Sequence, residues 1–401
     1  MEKRRSPARR IISPGRAGLA LIFGIVFIDL IGFGIVIPVL PLYAERFGAS
    51  PLVIGLLLGI YSAMQFIFAP ILGKISDRVG RRPVLLLSLV GTAVGFLIMG
   101  WASTLPWLFI ARIIDGITGG NISTAQAYIA DVTSPEQRSR GMGLIGAAFG
   151  LGFIFGPAIG GILSHVSLAA PFLFAAALTG ANAIAVYFLL PESLSAEHRG
   201  QARQKISIAQ VFKESKGWFL GTVIAAYFFT TIAFSLLTAT YSLFTERRFG
   251  FTAIQNGYLF AAQGLLGAII QGGMLGWLLK IFSDRGLVLA GVALLAGSLF
   301  ALPMSPTLTA LFCATAGVAV GHSLLAAPLN GLASKEVGAA AQGRLLGVMQ
   351  SAASGARIVG PVLGGWLLNY DALHQIALFG RTAYWVGGAV VLIAFVLALA
   401  L

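Results

Sequence analysis

Twelve apolar runs break this 401-residue chain into segments, at about 17–42, 51–73, 83–103, 105–130, 141–164, 169–190, 218–244, 253–279, 286–303, 306–333, 342–368 and 377–401. A run of about 20 residues crosses a hydrocarbon layer roughly 30 Å thick as one helix. Helix is the form in which a single segment satisfies its own backbone there. The charge supply points the same way. Only 10% of the residues are charged, against about 25% in water-soluble domains. The expectation is an all-α integral membrane protein of twelve transmembrane helices. The first run is not expected to be a cleaved signal peptide, because it is too long, carries Asp29 in its middle and lacks a small-residue cleavage site.

Twelve crossings return the chain to the side where it started, and the cations distinguish the two sides. Assigned to alternate loops, 21 of the 27 lysines and arginines share the side of the termini. Only Arg46, Arg247, Arg248 and Arg381 fall opposite, while Arg112 and Arg357 lie inside spans. Cytoplasmic loops hold the excess of positive charge, so both termini are expected in the cytoplasm of a bacterial inner-membrane protein. The net charge of +13 is spread over short loops with no interleaved aromatics, which argues against nucleic acid. Cys313 stands alone, so neither an internal disulfide nor a cysteine metal centre can form. No metal and no cofactor is expected.

The basic stretch 1–16 reads as a cytoplasmic tail lying against anionic headgroups. The longest polar interruption, 191–217, reads as a linker, with a short surface helix near Ile206–Phe212. It separates two six-span halves, 17–190 and 218–401, which repeat one another. GPAIGG at 156–161 returns as GPVLGG at 360–365, and Arg140 and Gly143 return as Arg344 and Gly347, all displaced by 204. ERFG at 45–48 is echoed by RRFG at 247–250, displaced by 202, and Gly55 then matches Gly257. Paired six-span repeats are a transporter architecture, with the substrate expected near the midplane where the halves meet.

The motifs resemble those of the major facilitator superfamily. GKISDRVGRR (73–82) looks like that family's charged loop between spans two and three, Arg112 with Gly116 like its span-four element, and FGLGFIFGPAIGG (149–161) like its span-five antiporter motif. DLIGFGIVIPVLP (29–41), IYSAMQ (60–65) and AYIADVT (127–133) resemble the twelve-span drug:proton antiporter branch, and within it the tetracycline efflux proteins. Tetracycline pumps carry a mid-membrane acid in span three, where this chain has Gly95, and another in span nine, where it has Leu294. Conversely, Asp115 and Arg357 stand where those pumps are uncharged.

An ionisable side chain at the bilayer centre costs roughly 2.5–3.5 kcal/mol on insertion scales and marks function by default. Asp29, Arg112, Asp115 and Arg357 qualify, and their charges sum to zero. Arg112 and Asp115, three apart, share a helix face. In a buried site desolvation favours the protonated carboxyl and a guanidinium favours the ionised one, so occupancy can decide between them. Asp29, Asp115 and Arg112 are the proton-coupling candidates, with either acid as the carrier. A static salt bridge is the alternative for each. Gln65, Asn121, Gln126, Gln263, His322, Asn330 and Arg357 are candidate substrate contacts, although amides in spans often serve as interhelical glue. His322 could equally just bond a neighbouring carbonyl.

The resemblance implies that Asp77 meets the N-terminus of span eleven and that Arg81 pairs with Asp131. Gly73 would end span two and Gly80 turn the chain back. With Arg78 and Arg82 holding the loop inside, the group forms a conformational latch. Gly152, Gly156, Pro157, Gly160 and Gly161 would carry the antiporter motif, although close packing alone also explains such a ladder. The resulting expectation is proton-coupled efflux of small amphipathic compounds, multidrug or tetracycline-like, by a monomer whose partners are lipid, protons and a small-molecule substrate. A facilitator or symporter of a metabolite or sugar is the alternative. No nucleotide-binding loop, zinc-binding helix pair or nucleophile elbow occurs in the sequence, so enzymatic activity is not expected.

Overall fold

A backbone wrapped in apolar side chains has no water to bond and closes its hydrogen bonds within itself. The structure, a computed structural model, describes residues 16–133, 135–194, 217–337 and 342–399, and these contain helices and no strand. The basic tail up to residue 15, residues 195–216 of the linker and the surface helix expected near Ile206–Phe212 lie outside the described residues.

The first half comprises α1 (Arg16–Glu45), α2 (Pro51–Val79), α3 (Arg81–Trp101), α4 (Leu105–Thr118), α5 (Asn121–Val132), α6 (Pro135–Leu163) and α7 (Ala170–Leu189). The second comprises α8 (Gly217–Phe249), α9 (Ala253–Ile269), α10 (Leu275–Ile281), α11 (Asp284–Ala301), α12 (Leu308–Ser323), α13 (Ala326–Lys335), α14 (Gln342–Leu373) and α15 (Arg381–Leu399). Three rods are each built of two helices: α4–α5 breaks at Gly119–Gly120, α9–α10 passes through a π-turn at Ile270–Met274, and α12–α13 bends at Leu324–Leu325. Among the described residues, ten helical runs are long and apolar enough to cross a membrane. The expected fourth and eleventh crossings are α4–α5, which is interrupted, and α14, which carries Arg344, Arg357 and Asp371.

Sequence set span two to end at Gly73. The structure corrects this, since α2 continues to Val79 and Gly80 closes it at φ 111°. The last six residues have left the apolar run but not the helix, whose end is set by capping rather than by hydropathy.

The halves repeat each other in packing. Helix α1 lies along α6 as α8 lies along α14, and the halves meet through α2 on α14 and α6 on α9. These two crossings are twins. A Cβ on Gly55 would stand 2.3 Å from the Pro361 carbonyl oxygen, and one on Gly257 would stand 2.5 Å from that of Pro157. Gly365 and Gly161 complete the respective contacts, with their Cα atoms 3.1 Å and 2.9 Å from those Cβ positions. Small residues are what let backbones meet where lipid gives helices no hydrophobic drive to associate. Both crossings lie toward the end opposite the termini, where Arg247 also bonds Glu45 of the other half at 3.0 Å. Toward the other end of α6 and α14, Gly143, Gly146, Gly150 and Gly347 have, among the described residues, no atom beyond their own helix backbone within 4 Å of where a Cβ would stand.

Candidate functional site

The site is built around the break in the fourth rod. Gly119 and Gly120 interrupt the helix, leaving Asn121 as the first residue of α5. The Asn121 amide donates to Asp29 Oδ1 of α1 at 2.9 Å. The Asp29 carboxylate therefore stands at the N-terminal end of α5, where the helix dipole favours an anion. On α4, one turn before the break, Arg112 Nη1 donates to Asp115 Oδ2 at 3.1 Å, with the two residues only 2% and 5% exposed. The Arg112 guanidinium also lies over the Tyr61 ring, 4.1 Å from its centroid. Gln65, one turn along α2 from Tyr61, donates to the Gly119 carbonyl at 2.9 Å and to the Tyr61 hydroxyl at 3.2 Å. That bond serves a carbonyl which the break would otherwise leave open.

Asp29, Phe33, Tyr61, Thr92, Phe96, Asp115 and Gly119 line a cavity of about 10 Å³, room for about one water. Gly95, where the resemblance would place an acid, lies on Asp115. A Cβ there would stand 3.1 Å from Asp115 Cβ and from the Ala111 carbonyl oxygen. The acid on span four thus occupies space next to the position that is vacant on span three.

The glycine ladder of α6 sets the position of the helix that carries Asp29. A Cβ on Gly152 would stand 2.6 Å from Leu30 Cβ, one on Gly156 2.7 Å from Gly34 Cα, and one on Gly160 3.1 Å from Ile35 Cα. Pro157 sits inside α6 beside Gly34, and Gly161 faces α9. One face of the ladder therefore grips α1 and its end meets the other half.

The charged loop forms a second cluster. Arg81, 1% exposed, donates from Nε to Asp131 at 2.9 Å and from Nη1 to the Ser76 hydroxyl at 2.7 Å, and pairs with Asp77 at 2.7 Å. Asp77 is thus engaged by its own loop, with its side chain 44% exposed. Arg82 bonds the Tyr187 carbonyl and lies over that ring, while Arg78 is exposed. Gly73, inside α2, has open space at its Cβ position. Glu192 accepts the backbone N–H of Arg81 at 2.8 Å and of Arg82 at 3.2 Å, and so caps α3. A Cβ on Gly80 would stand 2.3 Å from that carboxylate. Ser193 donates to Asp131 at 3.2 Å, so the first linker residues are fastened to this cluster.

Residues 22–361 match the family model described as Major Facilitator Superfamily. The chain belongs to that superfamily. It is 35% identical over 356 residues to the tetracycline resistance protein, class E, of Escherichia coli, with 88% of this chain and 87% of the relative covered. It is 29% identical to multidrug resistance protein 2 of Bacillus subtilis (strain 168), over 90% and 91% of the two chains. In structure it resembles the human organic anion transporter MFSD10 (TETRAN), with a TM-score of 0.69, 25% identity, and 96% and 99% of the two chains covered.

Within the superfamily fold, neither Gln126 of the first half nor the candidates of the second half join the cluster around Asp29. His322 stacks on Phe234 with ring centroids 3.7 Å apart. Asn330 donates to the Ala326 carbonyl of its own helix at 2.7 Å. Gln263 is buried on α9, and Gln126 is exposed on α5. Arg357 lies on the stretch of α14 that packs on α2, next to Ile358, whose carbonyl oxygen is 3.4 Å from where a Cβ on Gly59 would stand. The superfamily's duplication also repeats the loop ion pair with its signs exchanged. Lys335, displaced by 204 from Asp131, pairs with Asp284, displaced by 203 from Arg81. Sequence reasoning missed Glu192 and Ser193, whose position in a polar linker hid them. It also missed Thr92, an ordinary span residue until Asp115 is placed beside it.

Proposed function

We propose that this transporter exports small amphipathic compounds across a bacterial inner membrane in exchange for entering protons, as a monomer with both termini in the cytoplasm. The observation that carries the reading is the meeting of Asp29 and Asn121 with the Arg112–Asp115 pair at the break of the fourth rod. Asn121 holds the ionised Asp29. A proton on Asp29 removes that charge and frees α1 to move against α5. Arg112 keeps Asp115 compensated through the cycle, and Tyr61 holds Arg112 by its ring face. The relatives' printed names, tetracycline resistance and multidrug resistance, support export of a drug-like substrate. The excess of cations on the side of the termini supports the orientation. With the halves in contact at the opposite end, this conformation would face the cytoplasm.

Counterflow in proteoliposomes tests the reading. Labelled tetracycline should accumulate against its gradient only when a pH gradient is imposed. Label that only equilibrates across the membrane, to the same extent with and without a pH gradient, would make the chain a facilitator and sink the proposal.

A further inference from the structure

Four charges lie at mid-membrane depth, and the structure gives three of them polar partners from another residue of the first half. Arg112 pairs with Asp115, and Asp29 takes the Asn121 amide. Arg357, on α14 of the second half, pairs with no carboxylate among the described residues. Its bond goes to the neutral Ser354 hydroxyl, one turn back on its own helix, at 3.2 Å. It stands where α14 runs between the halves. A Cβ on Gly59 of α2 would meet Val362 at 2.9 Å and the Ile358 carbonyl at 3.4 Å, and Ser235 of α8 donates to the Ala356 carbonyl at 3.1 Å. Tyr61 lies two residues along α2 from Gly59, and Phe228, next to Tyr227 on α8, comes within 3.6 Å of where a Cβ on Gly355 would stand, so each half brings a phenol to this stretch of α14.

We infer that Arg357 is the binding group for an organic anion, an amphipathic compound carrying a carboxylate, sulfonate or ionised enol on a flat aromatic body. A guanidinium offers a planar fork of donors that matches such a group in two parallel bonds. It gains most where water is scarce. Tyr227 gives the aromatic body a ring to lie against. A cationic ligand fares worse beside Arg357, where it would meet a guanidinium that no carboxylate among the described residues pairs, while Asp115 is paired with Arg112 and Asp29 bonds the Asn121 amide. The inference deepens the transport reading by naming the substrate class, and rests on that reading only in taking the space between the halves as the substrate site. It carries a consequence for energetics. Exchange of one proton for one monoanion moves charge across the membrane in each cycle, whereas exchange for a monocation does not.

The test uses the full chain in nanodiscs and two xanthene dyes of opposite charge, fluorescein and rhodamine 6G, read by fluorescence polarisation without a pH gradient. Fluorescein should bind the wild type more tightly than rhodamine 6G. Arg357→Gln should weaken fluorescein at least about tenfold, the loss of one charge-assisted contact, and change rhodamine 6G less than about threefold. Arg357→Lys, which keeps the charge but loses the fork, should recover part of the affinity, and so separates binding from folding. Tighter binding of rhodamine 6G, no binding of fluorescein, or undiminished fluorescein binding by Arg357→Gln would overturn the inference. Proton coupling fails independently: Asp29→Asn that binds fluorescein normally and still exchanges at full rate under a pH gradient would remove the coupling role and leave Arg357's role standing.

Discussion

At the scale of residues, the cluster behaves as one electrostatic unit, and its members are not interchangeable. Arg112→Ala strands Asp115 in a buried site without its counter-charge. The loss should be about 3–5 kcal/mol, seen as a fall in thermal unfolding temperature in detergent. Removing both charges in Arg112→Ala/Asp115→Ala should cost clearly less than that single change, and equal losses would mean that the pair is not coupled. The contact between Gly95 and Asp115 makes a second prediction. Gly95→Asp presses two carboxyl groups together and should abolish transport, and Asp115→Gly added to it should restore a measurable rate. No restoration in the double variant would show that the acid cannot move between the two helices. Asp29, Arg112, Asp115 and Arg357 were legible in the sequence because a charge inside an apolar run is rare and costly. Gln65 was legible as a polar side chain but not in its role, since the carbonyl it serves exists only once the rod breaks at Gly119. Tyr61 and Thr92 carry no such signal, being frequent in spans for ordinary packing reasons.

At the scale of elements, caps and breaks do what hydropathy does not record. Helix α2 outlasts its apolar run by six residues, and the turn into α3 depends on Glu192, 110 residues away in sequence from Arg82. Glu192→Ala removes the acceptor for two helix N–H groups and should cost about 1–2 kcal/mol, the range for a lost N-cap. Hydrogen exchange at Arg81 and Arg82 would report it. Protection unchanged from wild type would mean that other groups take over the cap. A charged loop tied to the first residues of the linker was beyond sequence reasoning, because a contact of that separation has no local pattern. The broken fourth rod was equally hidden: the paired glycines 119 and 120 look no different from those that only serve packing.

At the scale of the whole molecule, duplication is the feature that sequence states most clearly. The offsets of 202 and 204 reappear as twin contacts, Gly55 on Pro361 and Gly257 on Pro157. Which end of the molecule those contacts close is set by helix tilt and was not legible. The account holds that the two crossings close the end opposite the termini, and that they part during transport. Gly257→Val should therefore force them apart and raise labelling of a cysteine placed at Ala253, buried at the same crossing, by a membrane-impermeant maleimide from the outer side. Labelling as slow as in the parent would contradict that closure. The claim on which everything else depends is that Asp29 exchanges a proton with each turnover. It is tested most directly by measuring pH-gradient-driven efflux, together with proton uptake, in proteoliposomes carrying Asp29→Asn. The account predicts that both fall to the level of empty vesicles while the protein elutes and melts as the wild type does. Gradient-driven efflux at the full wild-type rate would contradict it.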